Sequence, residues 1–439
     1  MEFEPLSVGI VGIGALLVLL VIGVHIGIAL GVVGLVGLAL LTSPTTAIGL
    51  AVTSIFYFVT EYTFVVLPLF ILTGLLAAQG GIAQDAYDSL NKWIGTIRGG
   101  ASLATVGAIA LFGTITGSSM VASVTFTRVS APTLRKMGYE KKFIYGMIAS
   151  AGAIAMLIPP SALAVVYGLL AEESVGKLLM AGVGPGVLMA VIFGFGILLM
   201  VRINPALAGS TSLEVVSWKQ RFLSLPLLWP VGVVAIVMVG GIYAGVFTVV
   251  EAGAVGTFVI LLIGLVSRRL RWSEIGRGLG ESVQIAVMVF LIFAAARIFS
   301  RFLVLSGISQ WLMNTIIKLG LSPMLFVVAV SVLYLILGCF LDSISMLCIT
   351  LPLLLPIAKT LGLDPIWFAM VVIVAIHVGL ITPPVGLNVY ATKGAAESDV
   401  SLEDIFSGVL PFFFMMVATL ILVIAFPSIS TWIPSLMRQ

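Results

Sequence analysis

Pro383-Pro384 interrupts the stretch WFAMVVIVAIHVGLITPPVGLNVY (residues 367–390), which is otherwise apolar enough to form a membrane helix. Two adjacent prolines remove two backbone donors and push the residue before them out of helical geometry, so no regular helix runs through this stretch. Irregular backbone at membrane depth survives only where protein buries it or water reaches it. The break therefore points at a protein interior or an aqueous cavity. The membrane setting follows from composition. Of 439 residues, 61% are hydrophobic and only 9% charged, with a mean hydropathy of +1.26, whereas soluble domains are about 25% charged. At about 20 apolar residues per crossing, the chain holds about ten to twelve spans.

The break occurs twice. Pro159-Pro160, in MLIPPSALAVVYG, returns as Pro383-Pro384, an offset of 383 − 159 = 224. The same offset relates Pro132 to Pro356, Gly138 to Gly362, Ser119 to Ser343, and Glu173-Ser174 to Glu397-Ser398. Five landmarks at one offset identify two repeats. Their connections differ in charge. LRKMGYEKK (134–142) carries Arg135, Lys136, Lys141 and Lys142 against Glu140, while its counterpart AKTLGLDP has Lys359 against Asp364. If the basic connection is cytoplasmic and its neutral equivalent faces the other side, the repeats are inverted; parallel repeats with drifted loops are the competing arrangement.

The expected fold is thus all-α and polytopic. An N-terminal half, residues 1–222, carries a re-entrant hairpin at 110–132 and a helix broken at 159–160. A C-terminal half, residues 223–439, carries a hairpin at 336–357 and a helix broken at 383–384. Basic clusters at 134–142, 202–221 and 267–277 are expected in the cytoplasm, and the N-terminus, with Glu2 and Glu4, outside. The start MEFEP lacks the basic segment of a cleavable signal. Cys339 and Cys348 share one apolar stretch and read as packing residues, not a disulfide framework.

The hairpin segments are rich in oxygen donors. GTITGSSM (113–120) offers Thr114, Thr116, Ser118 and Ser119, with Gly117 able to turn the backbone; CFLDSISM (339–346) offers Asp342, Ser343 and Ser345. Hydroxyls and released carbonyls suit a hard cation such as Na+, while a helix starting inside the membrane presents free N–H groups to a carboxylate. Small hydroxylated residues also occur simply where membrane helices pack closely. Asp342 is the stronger signal, because an intramembrane carboxylate is costly; a cation role is favoured over a proton relay. Thr382 and Asn388 flank the second break, Thr382 alternatively as a helix cap. Arg297 and Arg301, four apart on one helical face, are candidates for a substrate carboxylate, the alternative being that they snorkel or pair with acids elsewhere. Glu61 and Glu251 read as helix-end or subunit-contact residues rather than a relay, and His25 and His377 as core or helix-end residues. No nucleotide-binding, haem or Cys/His metal signature is present, no nucleic-acid partner is expected, and no Ser/His/Asp arrangement supports an enzyme.

GTITGSSM, LRKMGY, LIPPSALAVVYG, GCFLDSISM, LPLLLPIAKTLGLDP and LITPPVGLNVYATKG together resemble the large membrane subunit of TRAP (tripartite ATP-independent periplasmic) transporters, across essentially the whole chain. The resemblance implies a sodium-driven importer of organic acids in the bacterial inner membrane. It would work with a small four-helix membrane subunit and a periplasmic substrate-binding protein, by an elevator motion of a transport domain against a scaffold. It implies sodium ligands among Gly117, Ser118, Ser119, Pro159, Asp342, Ser343, Thr382, Pro383 and Gly386. Substrate ligands are expected among Ser119, Ser161, Ser345, Asn388, Arg297 and Arg301. VASVTFTRVSAP, with Phe126 and Arg128, departs from the family's small-residue pattern after the first hairpin tip. The small subunit is expected as a separate polypeptide. A stand-alone sodium/carboxylate elevator transporter is the alternative reading.

Overall fold

The computed structural model describes residues 4–209 and 216–437. Glu2 and positions 210–215 of the second basic connection lie outside them. Three helices open the chain: α1 (Pro5–Val21), α2 (Ile26–Leu41) and α3 (Pro44–Thr60), followed by α4 (Val66–Gln79) and α5 (Ile82–Ile94). The first broken region comprises α6 (Gly100–Thr116), α7 (Ser119–Val129), α8 (Ala131–Lys136), α9 (Lys141–Leu157) and α10 (Ala162–Ala171). Then come α11 (Val175–Ala181) and α12 (Val183–Ile203). Short pieces α13 (Trp218–Ser224), α14 (Trp229–Ala235) and α15 (Gly241–Tyr243) lead to α16 (Val249–Val266), α17 (Trp272–Leu305) and α18 (Ile308–Lys318). The second broken region repeats the first: α19 (Pro323–Gly338), α20 (Ser343–Thr360), α21 (Pro365–Gly379) and α22 (Leu387–Ala395), then α23 (Leu402–Ala425) and α24 (Ser428–Ser435).

Among the described residues no strand forms. Seven helices or joined helix runs are long and apolar enough to cross a membrane, and the α9–α10 pair, bent by 48° at its break, makes an eighth. The protein is an all-α, multi-pass membrane protein. The larger number expected from hydropathy is not reached by single long helices because several apolar segments, among them α6, α19 and α21, are shorter helices of 10–17 residues.

Helices α9 and α21 sit at the centre of the two broken regions. Every residue of α9 from Phe143 to Leu157 is buried, and every residue of α21 from Trp367 to Gly379, as fits a helix that is apolar all round. Both α6 and α7 pack on α9, and both α19 and α20 pack on α21. Gly338 permits the second of these approaches: a Cβ there would lie 2.5 Å from the Gly379 Cα, and a Cβ at Gly113 would meet Ala155 in the same way.

The halves exchange contacts reciprocally. α22 packs on α7, and its counterpart α10 packs on α20. Arg135, in the first basic connection, pairs with Glu397 at 2.5 Å, and Lys359 pairs with Glu173 at 2.9 Å. These are the same contact displaced by 224 residues, since 135 + 224 = 359 and 173 + 224 = 397. The first is elaborated: Arg135 also forks onto Asp399 with two bonds of 2.8 Å, and Lys141 reaches Asp404 at 2.8 Å. The guanidinium holds the Asp399 carboxyl below its ordinary pKa.

Packing divides the molecule differently from the sequence halves, whose junction at residue 222 falls inside α13. One hydrophobic core runs from Phe64 to Val423 through both broken regions. A second joins α1–α3 to the end of α17 and the start of α18, through residues such as Leu30, Val33, Phe299 and Phe302, and touches the second broken region at Cys348 of α20.

Candidate functional site

The first break is built by a change of backbone hand. Gly117 ends α6 with φ +57°, and Ser118 follows in extended geometry, its hydroxyl accepting from the Val121 N–H at 3.4 Å to cap α7. The Gly117 carbonyl accepts from the Ala162 N–H at 3.2 Å, tying the tip to the turn after Pro159-Pro160. A Cβ at Gly117 would stand 2.1 Å from the Pro160 carbonyl oxygen, so glycine is required by space as well as by φ. Ser161 caps α10 through the Ala164 N–H at 3.2 Å.

The second break uses a carboxylate where the first uses a hydroxyl. Asp342 occupies the position equivalent to Ser118 and caps α20: its Oδ1 accepts from the Ile344 and Ser345 N–H groups at 3.0 Å each, and its Oδ2 from the Ser345 hydroxyl. The Cys339 carbonyl accepts from the Val385 N–H at 3.2 Å, stitching tip to break as in the first half. Gly386, with φ +58°, precedes α22. The Thr382 hydroxyl donates to the Val378 carbonyl at 2.7 Å, an internal back-bond that leaves its lone pairs available. Ser343 opens α20 half-buried.

A buried bond joins the two breaks, in addition to the ion pairs between the halves. The Ser119 hydroxyl donates to Asn388 Oδ1 at 3.2 Å, 269 residues away, with both residues buried. Among the described residues, three buried polar atoms of the same two regions have no partner: the Thr116 hydroxyl at the end of α6, and the Asn388 amide nitrogen and Thr392 hydroxyl of α22. Thr392 was not foreseen from sequence; its only signal is that it lies one turn beyond Asn388 on the same face of α22. The breaks differ in setting, because Pro159 and Pro160 are buried whereas Pro383 and Pro384 are exposed.

The donor set fits a hard monovalent cation. At the first tip helix ends release carbonyl oxygens and Thr116, Ser118 and Ser119 carry hydroxyls; at the second Ser343 carries a hydroxyl and Asp342 a charge. Three of roughly four acceptor positions on that carboxylate are used locally.

Arg297 and Arg301 stand apart. They line a cavity of about 810 Å³ with Ser300, Glu61, Glu172 and Glu173, away from the Ser119–Asn388 contact. Arg297 makes two long contacts of 3.5 Å, to Glu172 and to the Leu169 carbonyl. Glu61 caps the turn Tyr62–Val65 and Glu251 forms a capping box on α16, both helix-end roles as expected. His25 caps α2, and His377 is buried, with Nδ1 2.6 Å from the Ile373 carbonyl. Cys339 and Cys348 are unpaired. Phe126 is buried edge-on against Phe112, and Arg128 is exposed in the last turn of α7.

The sequence model of the family described as tripartite ATP-independent periplasmic transporter, DctM component, matches residues 13–429. A curated relative, the C4-dicarboxylate TRAP transporter large permease protein DctM of Pseudomonas aeruginosa, is 34% identical over 90% of this chain and 91% of its own. The sialic acid TRAP transporter large permease protein SiaM of Vibrio cholerae is 28% identical over 95% of this chain and 96% of its own. Among solved structures, the YdaH transporter of Alcanivorax borkumensis superposes with a TM-score of 0.61 at 12% identity, over 87% of this chain and 88% of that one, a likeness of fold.

Proposed function

Since the chain belongs to the DctM family, the large membrane subunits of TRAP transporters, we propose that it imports small organic acids across the bacterial inner membrane, driven by sodium. Substrate would arrive from a periplasmic binding protein, and a small four-helix membrane subunit would complete the permease. A carboxylate of the size its relatives' names print, a C4-dicarboxylate or a sialic acid, is the substrate class. The work is translocation; no bond is made or broken.

The observation that carries this reading is the Ser119–Asn388 bond, together with the Thr116, Asn388 and Thr392 groups that are unpartnered among the described residues on the same two regions. Two chain breaks meet there and leave buried donors and acceptors unmatched, as a site awaiting a polar ligand does. Sodium, as the coupled cargo, would be held by oxygens of Gly117, Ser118, Ser119 and Pro159 at one tip and of Asp342, Ser343, Thr382, Pro383 and Gly386 at the other. Substrate would use Ser119, Ser161, Ser345 and Asn388. Ser119 stands in both sets, so ion and acid binding would be coupled through that side chain.

Two further features support the reading. Reciprocal contacts between the halves, with the basic connection on one side only, favour inverted repeats with a shared midplane site and a periplasmic N-terminus. Two separate hydrophobic cores favour an elevator motion, the body containing both broken regions sliding against the α1–α3/α17 body.

Reconstitution into proteoliposomes tests the whole. Uptake should require the small subunit, an external binding protein and an inward sodium gradient. Sodium-driven uptake by this chain alone would replace the tripartite reading with a stand-alone sodium/carboxylate carrier.

A further inference from the structure

The cavity holding Arg297 and Arg301 lies at the seam between the two hydrophobic cores. Its walls come from α3 and α17, whose Ala51 and Phe299 belong to the second core, and from the Tyr62–Val65 turn, the start of α16 and the α10–α11 turn, whose Phe64, Val250 and Val175 belong to the first. The arginines sit about 12 Å and about 6 Å before the end of α17, by the rise of an α-helix. The basic end of that helix, at Arg268, Arg269 and Arg271, is the opposite one. The cavity therefore opens toward the face away from the basic connections.

Its hydrogen-bonding capacity is unevenly committed. Glu173 is taken by Lys359, and Glu61 accepts from Thr63 through both N–H and hydroxyl. Arg297 has only its two contacts of 3.5 Å, and among the described residues Arg301 has no ion-pair partner. Two guanidinium forks on one helical face, with Ser300 between them, are thus available in a space of about 810 Å³, within the size range of small-molecule sites.

Glu172 adds the second observation. It ends α10 in left-handed backbone, φ +56°, a conformation glycine or asparagine adopts more cheaply. That geometry projects a carboxylate from the body with the broken regions to 3.5 Å from Arg297 on the other body. An internal carboxylate already stands where an external one could bind.

We propose that Arg297, Arg301 and Ser300 form a way-station for small carboxylates at this seam, occupied before the acid reaches the Ser119–Asn388 region, with Glu172 as its internal competitor. The inference rests on the carboxylate-transport reading but names a separate site. Glu172 and Glu61 keep the station weak, as a transit site must be: favourable enough to fill, loose enough to empty.

The test uses the full chain in lipid nanodiscs, phenylglyoxal as an arginine-selective reagent, and mass spectrometry of the peptides bearing Arg297 and Arg301. In sodium-free buffer, succinate should slow labelling of both by a factor of one plus its concentration over Kd, about tenfold at about ten times Kd. Glu172→Gln should lower the half-protecting concentration. Equal protection by succinamide, or by choline chloride at matched ionic strength, overturns the proposal, as does protection that requires sodium. Absence of labelling at both arginines also overturns it, since the site must be open. Loss of sodium-driven uptake with protection intact would count against the transport function and leave the way-station standing.

Discussion

At the scale of single residues, the breaks depend on two side-chain choices. Gly117→Ala would place a methyl 2.1 Å from the Pro160 oxygen at φ +57°. Left-handed geometry alone costs about 1–2 kcal/mol, and the clash is with backbone, so folded yield and uptake should both fall sharply, with melting temperature and transport measured together. Asp342 separates two roles. Asn is as good an N-cap as Asp, whereas Ala costs about 0.5–2 kcal/mol. Asp342→Asn should therefore keep its melting temperature but require more sodium for half-maximal uptake, while Asp342→Ala loses both. Unchanged sodium dependence in Asp342→Asn would remove Asp342 from the ion site. The two tips were legible in the sequence because glycine, hydroxyl and proline leave local marks. The Ser119–Asn388 bond was not: it joins residues 269 positions apart, and no local pattern encodes which hydroxyl meets which amide. Arg297 and Arg301 show the same limit, for their spacing gave a shared face but not the cavity that face lines.

At the scale of elements, each tip is held by helix pairs in backbone contact. Gly338→Ala would drive a Cβ to 2.5 Å from the Gly379 Cα, and forcing α19 off α21 should cost about 1–3 kcal/mol, read as a lowered unfolding temperature and weakened uptake. The Arg135–Asp399 link sits where side chains stay partly exposed, so its contribution is small and responds to salt. Its pH dependence has a definite sign. The Asp399 carboxyl is held below its ordinary range by Arg135, so the link stabilises above the unfolded value of about 3.9 and is lost as pH falls through the lower folded value. The difference in melting temperature between the protein and Arg135→Gln should thus shrink below about pH 4. The 224-residue offset announced the order of these elements. Caps, not apolar pattern, set where they start: Ser118, Ser161, Asp342 and Asp364 each take a first-turn N–H.

At the scale of the whole molecule, the proposed motion makes a prediction about the two cores and the seam between them. A reducible bifunctional thiol reagent, with a spacer as long as the two ion-paired side chains, would join cysteines at 173 and 359 within the body of both broken regions, and cysteines at 172 and 297 across the seam. With Cys339 and Cys348 replaced, cross-linking the first pair should leave uptake intact and cross-linking the second should stop it until reduction. Block by both would mean the broken regions themselves must part. The grouping into cores was hidden in the sequence, because α17 of the second half packs on α2 of the first, and apolar runs carry no label of their partner.

The exchanged ion pairs give the chain an internal control. Arg135 and Lys359 do equivalent work for opposite halves, one as a fork on two carboxylates and one as a point charge on a single carboxylate. Neutralising either leaves its twin untouched in the same polypeptide, at the same expression level and in the same bilayer. Any inequality between the two variants therefore measures how far the two halves of the protein have specialised, free of the differences that blur comparisons between separate proteins.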